Sequence, residues 1–330
     1  MADTAQLSSK LAYLIDAEAP VSDFRTDVIE GLSAPPFELP PKYFYDANGA
    51  ELFEAICTTP EYYVTRAEIE LLQTSAASIA DIIGPDANII EPGSGAAEKV
   101  RILLKALPNP AEYTLFDISR EQLDVVARGL AEDFPRLRVG AVAGDFTRPL
   151  LVTGEMFQGS GKRMCFFPGG TIGNFSPTDQ ITLLSGFKSW LRPGDGILIG
   201  VDRIKNAARL DAAYNDAAGY TARFNLNLLR HMQSALGAEL NTDDWDHQAF
   251  FNIARGCIEM HLRANRDTQI GLDQHVFQFS AGETILTEES WKFDEARLRA
   301  LADALNLDLK HIWSSKDDAF SHVWLEMPDA

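Results

Sequence analysis

Basic residues are scarce in this chain. Its 330 residues hold 29 Lys and Arg against 48 Asp and Glu, a formal net charge of −19. A surface of that sign repels phosphate backbones and anionic membranes, which argues against nucleic-acid and membrane partners. Long apolar runs are missing as well. No stretch reaches the roughly 20 apolar residues of a membrane span. The opening "MADTAQLSSK" has no basic segment leading into an apolar one, so no secretory signal is expected. Cysteine is sparse: Cys57, Cys165 and Cys257 are odd in number and show no Cys-x-x-Cys spacing. They read as thiols of a reducing cytoplasm, not as disulfides or a zinc site. The six histidines are scattered without paired helical spacing, so no metal site is expected. There is no internal repeat or low-complexity tract. The chain is expected to be cytoplasmic and to work as a monomer.

What is present is an ordinary globular composition, 46% hydrophobic, with a length that allows one large or two moderate domains. Residues 1–60 read as irregular, proline-rich in "SAPPFELPPK" and aromatic in "YFYDANGAELF". From "TRAEIELLQTSAASIADII" onward, helical spacing alternates with short apolar strands: "NIIEP", "EYTLFDIS", "RVGAVAGDF", "RMCFFPG" and "ILIGVD". One crossover helix per gap calls for a parallel, doubly wound α/β sheet. The alternation stops near residue 203. A long helical stretch over residues 209–236 follows, then strands in "FFNIARGCIEMHLRAN" and "HVFQFSAGETILTEES". Helical spacing returns in "DEARLRALADALN", before strands "LKHIWS" and "SHVWLEM".

Ligands of such sheets sit beyond the carboxyl ends of the strands. The first strand runs into "EPGSGAAEKV", giving Glu91, Gly93 and Gly95; the second ends at Asp117; the third gives Asp145 and Phe146; the fourth gives "PGGTIGN". Glycine lets backbone approach a ligand closely. Asp117 is placed to accept from a ribose diol, and Asp145 with Phe146 to hold an adenine. A pyrophosphate site would want a third glycine where Glu98 stands. Glu98 and Glu91 together disfavour a pyrophosphate and suit a cation. S-adenosylmethionine combines a ribose, an adenine and a sulfonium, and Lys99 remains to pair with its carboxylate.

With those residues in place, the chain resembles the histidine-specific methyltransferases that make the trimethylated histidine betaine used for ergothioneine. The resemblance runs from about Pro40 to the end. It is carried by "YFYDANGAELFEAI", "TPEYYVTRAEIELL", "EPGSGAAEKVRILL", "FDIS", "GDF", "FPGGTIGNF", "YNDAAGYTARFNLN", "IEMHLRA" and "LTEESWKF". It implies a class I Rossmann-like methyltransferase with a mostly parallel sheet and an inserted α+β substrate-recognition domain. Residues 1–60 and 203–285 would form that domain; 61–202 and 286–330 would form the methyltransferase core. It also implies roles. Gly93, Gly95, Lys99, Asp117, Asp145 and Phe146 match cofactor contacts. Asn174 and Tyr214 match the residues that bind the amino acid's carboxylate, and Gly169 and Thr171 the groups around its α-amine. Glu288 and Ser290 match the pair that hydrogen-bonds the imidazole, with Met260 packed near the ring. Tyr45, Phe53 and Tyr62 match an aromatic wall. Pro92 and Trp291 depart from the family pattern beside these positions.

The chemistry suits these residue types. A sulfonium methyl is a strong electrophile, so the protein has only to place a neutral amine behind it and exclude water. The partners implied are L-histidine and its mono- and dimethylated forms. Carboxylate and hydroxyl two residues apart on a strand share a face, so Glu288 and Ser290 can address one ring. Aromatic faces tolerate a growing ammonium. Without the resemblance, "TEES" reads as a solvated surface run and the aromatics as core. Two other function classes stay open: a methyltransferase of another amine such as tryptophan, and a binding module without turnover.

Overall fold

The computed structural model describes residues 11–17, 23–95, 97–150 and 152–329. The opening ten residues, on which the secretory-signal expectation rests, lie outside the described residues. In chain order the elements are β1 (Tyr13–Asp16), α1 (Phe24–Leu32), α2 (Ala47–Thr58), α3 (Val64–Ile83), β2 (Asn88–Pro92), α4 (Glu98–Ala106), β3 (Glu112–Asp117), α5 (Arg120–Asp133) and β4 (Arg138–Ala143). There follow β5 (Arg163–Phe167), α6 (Pro177–Lys188), β6 (Gly196–Asp202), α7 (Ala207–Ala213), α8 (Tyr220–His231), β7 (Trp245–Asn252), β8 (Cys257–Ala264), β9 (Thr268–Leu272) and β10 (His275–Phe279). The chain closes with β11 (Thr284–Trp291), α9 (Glu295–Leu305), β12 (Asp308–Ser314) and β13 (Phe320–Glu326).

Among the described residues, eight strands form one sheet in the order β1-β4-β3-β2-β5-β6-β13-β12. The first six are parallel, and β13 and β12 close the edge antiparallel. Every residue of β2 and β6 is buried, as strands covered by helices on both faces require. Strand alternation divides the interior. Ile89, Leu115 and Leu198 face one core, and their neighbours Ile90, Phe116 and Ile199 face the other. Chain order reverses around β2, so the crevice beyond its carboxyl end is open to a ligand.

A smaller antiparallel sheet, β11-β8-β7, stands beside this core with the β9–β10 hairpin. The N-terminal segment is laced to it: Leu39 N donates to Leu286 O and Leu286 N to Phe37 O. Helix α2 and the turn before it pack on α8: Phe44 of the turn and Phe224 have rings 4.6 Å apart, and Asn48 Nδ2 of α2 donates to Asn227 Oδ1.

Two expectations need correction. Residues 1–60 are not all irregular, because β1 pairs in parallel with β4. Tyr13 covers Gly140, where any Cβ would collide with its ring at 2.1 Å. Tyr13 therefore lies in the large sheet, and β11, which crosses residue 285, belongs to the small one. The second correction is the long helix over 209–236, which breaks after Ala213. Asp216 accepts from Tyr220 N and Thr221 N, and Gly219 at φ +71° starts α8 afresh. The break leaves Tyr214 at the carboxyl end of α7, free of helical continuation.

Candidate active site

The glycine turn after β2 is built by its neighbours. Pro92, with no N–H to offer, takes the last strand position, and Gly93 N donates to Phe116 O at 2.7 Å. Gly93 and Gly95 both have positive φ, +69° and +46°. A Cβ on Gly93 would stand 3.4 Å from the Phe146 ring, so the structure brings these two together. Phe146 is half-buried, edge-on to Phe116 and Phe167. Asp117 takes Gly95 N on one oxygen at 3.2 Å and Ser119 N on the other at 3.1 Å, which fixes the turn to the next strand end. Asp145 is occupied locally by the N–H and hydroxyl of Thr147.

The two acids expected to act together do not. Glu98 is exposed at the start of α4, whereas Glu91 is buried and accepts from the Tyr113 hydroxyl at 2.6 Å. Burial pushes Glu91 up to about 8, helped by Glu68 and Asp117 and opposed by Tyr113 and Lys99. Lys99 also has a partner within the protein. Its ammonium lies 2.6 Å from Glu68, a fully buried carboxylate on α3. Glu68 Oε1 accepts from Gly169 N at 2.8 Å and lies 3.1 Å from His322 Nε2. Burial alone would raise Glu68, but Lys99 and His322 outweigh it and hold the carboxyl at about 2. Sequence reading missed Glu68, although it falls in the buried stripe of α3 with Val64, Leu71, Leu72 and Ser75.

Glu68 thereby joins the glycine turn to the "PGGTIGN" loop. A Cβ on Gly169, at φ +85°, would lie 3.1 Å from Thr171 Oγ1 and 3.2 Å from Lys99 Nζ, so these three groups converge. Thr171 donates to Pro168 O, leaving its oxygen lone pairs free. Asn174 is half-buried without a hydrogen-bond partner among the described residues, while Ser176 caps α6. Gly173 abuts the backbone of Trp291, which seats the loop against the end of β11.

On β11, Glu288 and Ser290 lie on the inward face, 9% and 5% exposed, and Met260 pairs with Glu288 from β8. The carboxylate of Glu288 has no hydrogen-bond partner among the described residues. Burial pushes it up to about 7, against the pull of Lys292. Trp291 faces the other way: its indole donates to Glu289 and lies beneath the guanidiniums of Arg255 and Arg297. It does not intrude on Ser290. Tyr214 donates its phenol proton to Ser290 Oγ at 2.8 Å. That proton is therefore engaged, and the expected grip of Tyr214 on a carboxylate has a competitor. Tyr45, Phe53 and Tyr62 form a chain of edge-on rings at 5.7 and 6.2 Å, with Tyr45 49% exposed. Phe224, not foreseen, completes the group from α8. Tyr45 and Tyr62 lie within electrostatic reach of Glu288.

A family model described as histidine-specific methyltransferase, SAM-dependent, matches residues 24–327. The chain belongs to this family. The histidine N-alpha-methyltransferase of Mycolicibacterium smegmatis is 37% identical, over 93% of this chain and 96% of that protein. Its namesake from Mycobacterium tuberculosis is 38% identical, over 90% and 92%. The ergothioneine biosynthesis protein 1 of Neurospora crassa is 34% identical over 72% of this chain, a match that spans 29% of that longer protein. This methyltransferase uses S-adenosyl-L-methionine, and the crevice after β2 fits it. Gly93 leaves open the space that a side chain would fill beside Phe146, and buried Glu91 suits a cation. Among the described residues, no helix is long and apolar enough to cross a membrane.

Proposed function

We propose that this methyltransferase adds three methyl groups in succession to the α-amine of L-histidine, giving the betaine used for ergothioneine. Glu288 carries the substrate reading. It is a buried carboxylate without a protein partner, two residues from the Ser290 hydroxyl on one strand face, with Met260 alongside. A neutral imidazole presents one N–H and one bare nitrogen, which an acceptor and a hydroxyl together satisfy. A ring lacking either leaves a buried polar group unpaired, the strongest basis for rejecting analogues. The names of the mycobacterial relatives support histidine, and that of the fungal relative supports ergothioneine.

S-adenosyl-L-methionine supplies an electrophilic methyl on sulfur when bound. The chain's own residues do the rest. Gly93, Gly95, Asp117, Asp145 and Phe146 hold the nucleoside end, and Lys99 orients the amino-acid end while anchored on Glu68. In the first two transfers Thr171 Oγ1 accepts an amine N–H beside the Gly169 turn and so aims the nitrogen lone pair; the tertiary amine of the third has no N–H and is placed by the surrounding walls. Asn174 binds the substrate carboxylate. Tyr45, Phe53 and Tyr62 exclude water and accommodate the ammonium that develops. The small sheet and the helices packed on it form the substrate-recognition part. Incubating the enzyme with an amino-acid panel and isotope-labelled cofactor tests this by mass spectrometry. Histidine should gain one, two and finally three labelled methyls. Labelling of tryptophan or another amine in preference to histidine would overturn the reading.

A further inference from the structure

Lys292 has no part in the roles given so far, yet it is only 1% exposed and stands immediately after β11. Its ammonium has three protons and meets three acceptors. Asp202 Oδ2 lies at 2.9 Å, Tyr214 OH at 3.0 Å and Ser290 Oγ at 2.8 Å. Asp202 is buried at the carboxyl end of β6 and also receives the Tyr63 hydroxyl and Lys205. Burial would discharge Lys292, but Asp202 prevails and holds it charged well beyond the ordinary lysine range. An ammonium is a donor only.

Proton counting then decides the state of Ser290. Its oxygen accepts from Lys292 and from Tyr214, so both lone pairs are used. Its own proton has no acceptor among the described residues. It is left for a ligand. Glu288, when ionised, only accepts. The pair is thereby polarised, one acceptor and one donor, before any ring arrives.

We propose that Lys292, seated on Asp202, is a positioning residue that fixes Ser290 as a donor to the bare imidazole nitrogen, so that the pocket selects the neutral ring in one tautomer. This rests on the histidine reading above. Without Lys292, Ser290 regains a lone pair and is no longer forced to donate.

The test uses 2-pyrrolylalanine and 3-pyrrolylalanine, which each keep one ring N–H and replace the bare nitrogen by C–H. The wild type should prefer histidine over the better pyrrole by about tenfold or more in kcat/KM, the scale of a lost buried hydrogen bond. Lys292→Met should narrow that ratio by about threefold or more, largely through KM, with cofactor affinity held. Ser290→Ala should narrow it similarly, and adding Lys292→Met to Ser290→Ala should change it no further. A merely structural lysine would lower both substrates together and leave the ratio untouched, which would overturn the proposal. Where Lys292→Met fails to fold, Lys292→Met with Asp202→Asn and Lys205→Met removes the whole buried charge cluster and carries the same measurement. A wild type that methylates histidine and pyrroles equally overturns the donor role of Ser290. A wild type that leaves histidine unmethylated overturns the functional reading itself.

Discussion

Glu91 should make the folded protein less stable as the pH rises. It is buried at the end of β2, with the Tyr113 hydroxyl at 2.6 Å. Burial pushes its carboxyl from the ordinary 4.5 up to about 8. The folded chain thus holds this proton more tightly than the unfolded chain does. The associated stability is fully present below pH 4.5 and is lost progressively until about pH 8. At ~1.4 kcal/mol per pH unit the whole effect is at most ~5 kcal/mol, and solvent relaxation around the site will reduce it. Glu91→Gln keeps the size and the acceptor for Tyr113 but cannot ionise. Urea unfolding of wild type and variant at pH 5, 7 and 9 isolates the contribution, because every other titration cancels in the difference. The two proteins should be near parity at pH 5, and the variant should lead by roughly 2–5 kcal/mol at pH 9. Parallel stability curves would refute the reasoning, since Glu91 would then ionise alike in both states.

Further substitutions probe the rest of the site. Asp117→Ala should weaken S-adenosyl-L-methionine binding by about 1.5–3 kcal/mol, the scale of a hydrogen bond to a charged group; unchanged affinity by calorimetry would remove Asp117 from the ribose. Glu288→Ala should lower the histidine-to-tryptophan ratio of kcat/KM by roughly 10- to 150-fold, with cofactor affinity unaffected, and Met260→Val added to it should admit tryptophan further. An unchanged ratio would detach Glu288 from the imidazole. Glu68→Gln leaves the Lys99 ammonium without its fully buried partner, and should destabilise the fold by about 3 kcal/mol, toward the lower end for a broken buried pair because Lys99 is partly exposed; a loss under about 1 kcal/mol in urea would mean the pair is dispensable.

The large sheet was legible because its signals are local. A strand buried on both faces shows as a short apolar run, and its crossover helix as 3.6-residue spacing. The residues that end those strands then lie side by side by topology alone, which is why Gly93, Asp117 and Phe146 could be placed from sequence. What escaped depends on contacts far apart in the chain. Glu68 meets His322 across 254 positions, and Tyr63 meets Asp202 across 139. Nothing in the local spacing of "AEIELL" or "ILIGVD" announces either partner. The edge strand β1 was missed for a similar reason: four residues pair with β4, and Gly140 makes room for Tyr13 without leaving any mark near residue 13. The break at Asp216 was missed because helical apolar spacing continues through it, while a side-chain cap overrides that spacing.

The buried charges of the site fall into two kinds, and the difference bears on how a ligand is recognised. Glu68 with Lys99, and Asp202 with Lys292 and Lys205, are paired with opposite charges, so their charges are settled within the protein. A pair of this kind contributes little net stability, because desolvation offsets the Coulomb attraction. Its use here is geometric: Glu68 ties Gly169 N to Lys99, and Lys292 ties Tyr214 and Ser290 to Asp202. Glu91 and Glu288 are the other kind. Both are buried and raised toward neutrality, to about 8 and about 7, and Glu288 has no hydrogen-bond partner among the described residues. An acid left in that condition has already lost its water and lacks full compensation. A cationic cofactor beside Glu91 and a ring N–H at Glu288 would each restore what burial removed, and an uncharged or donor-free competitor would not. Under the proposed function, selectivity is built from the two acids the protein leaves without an opposite charge, held in register by the two clusters it pairs.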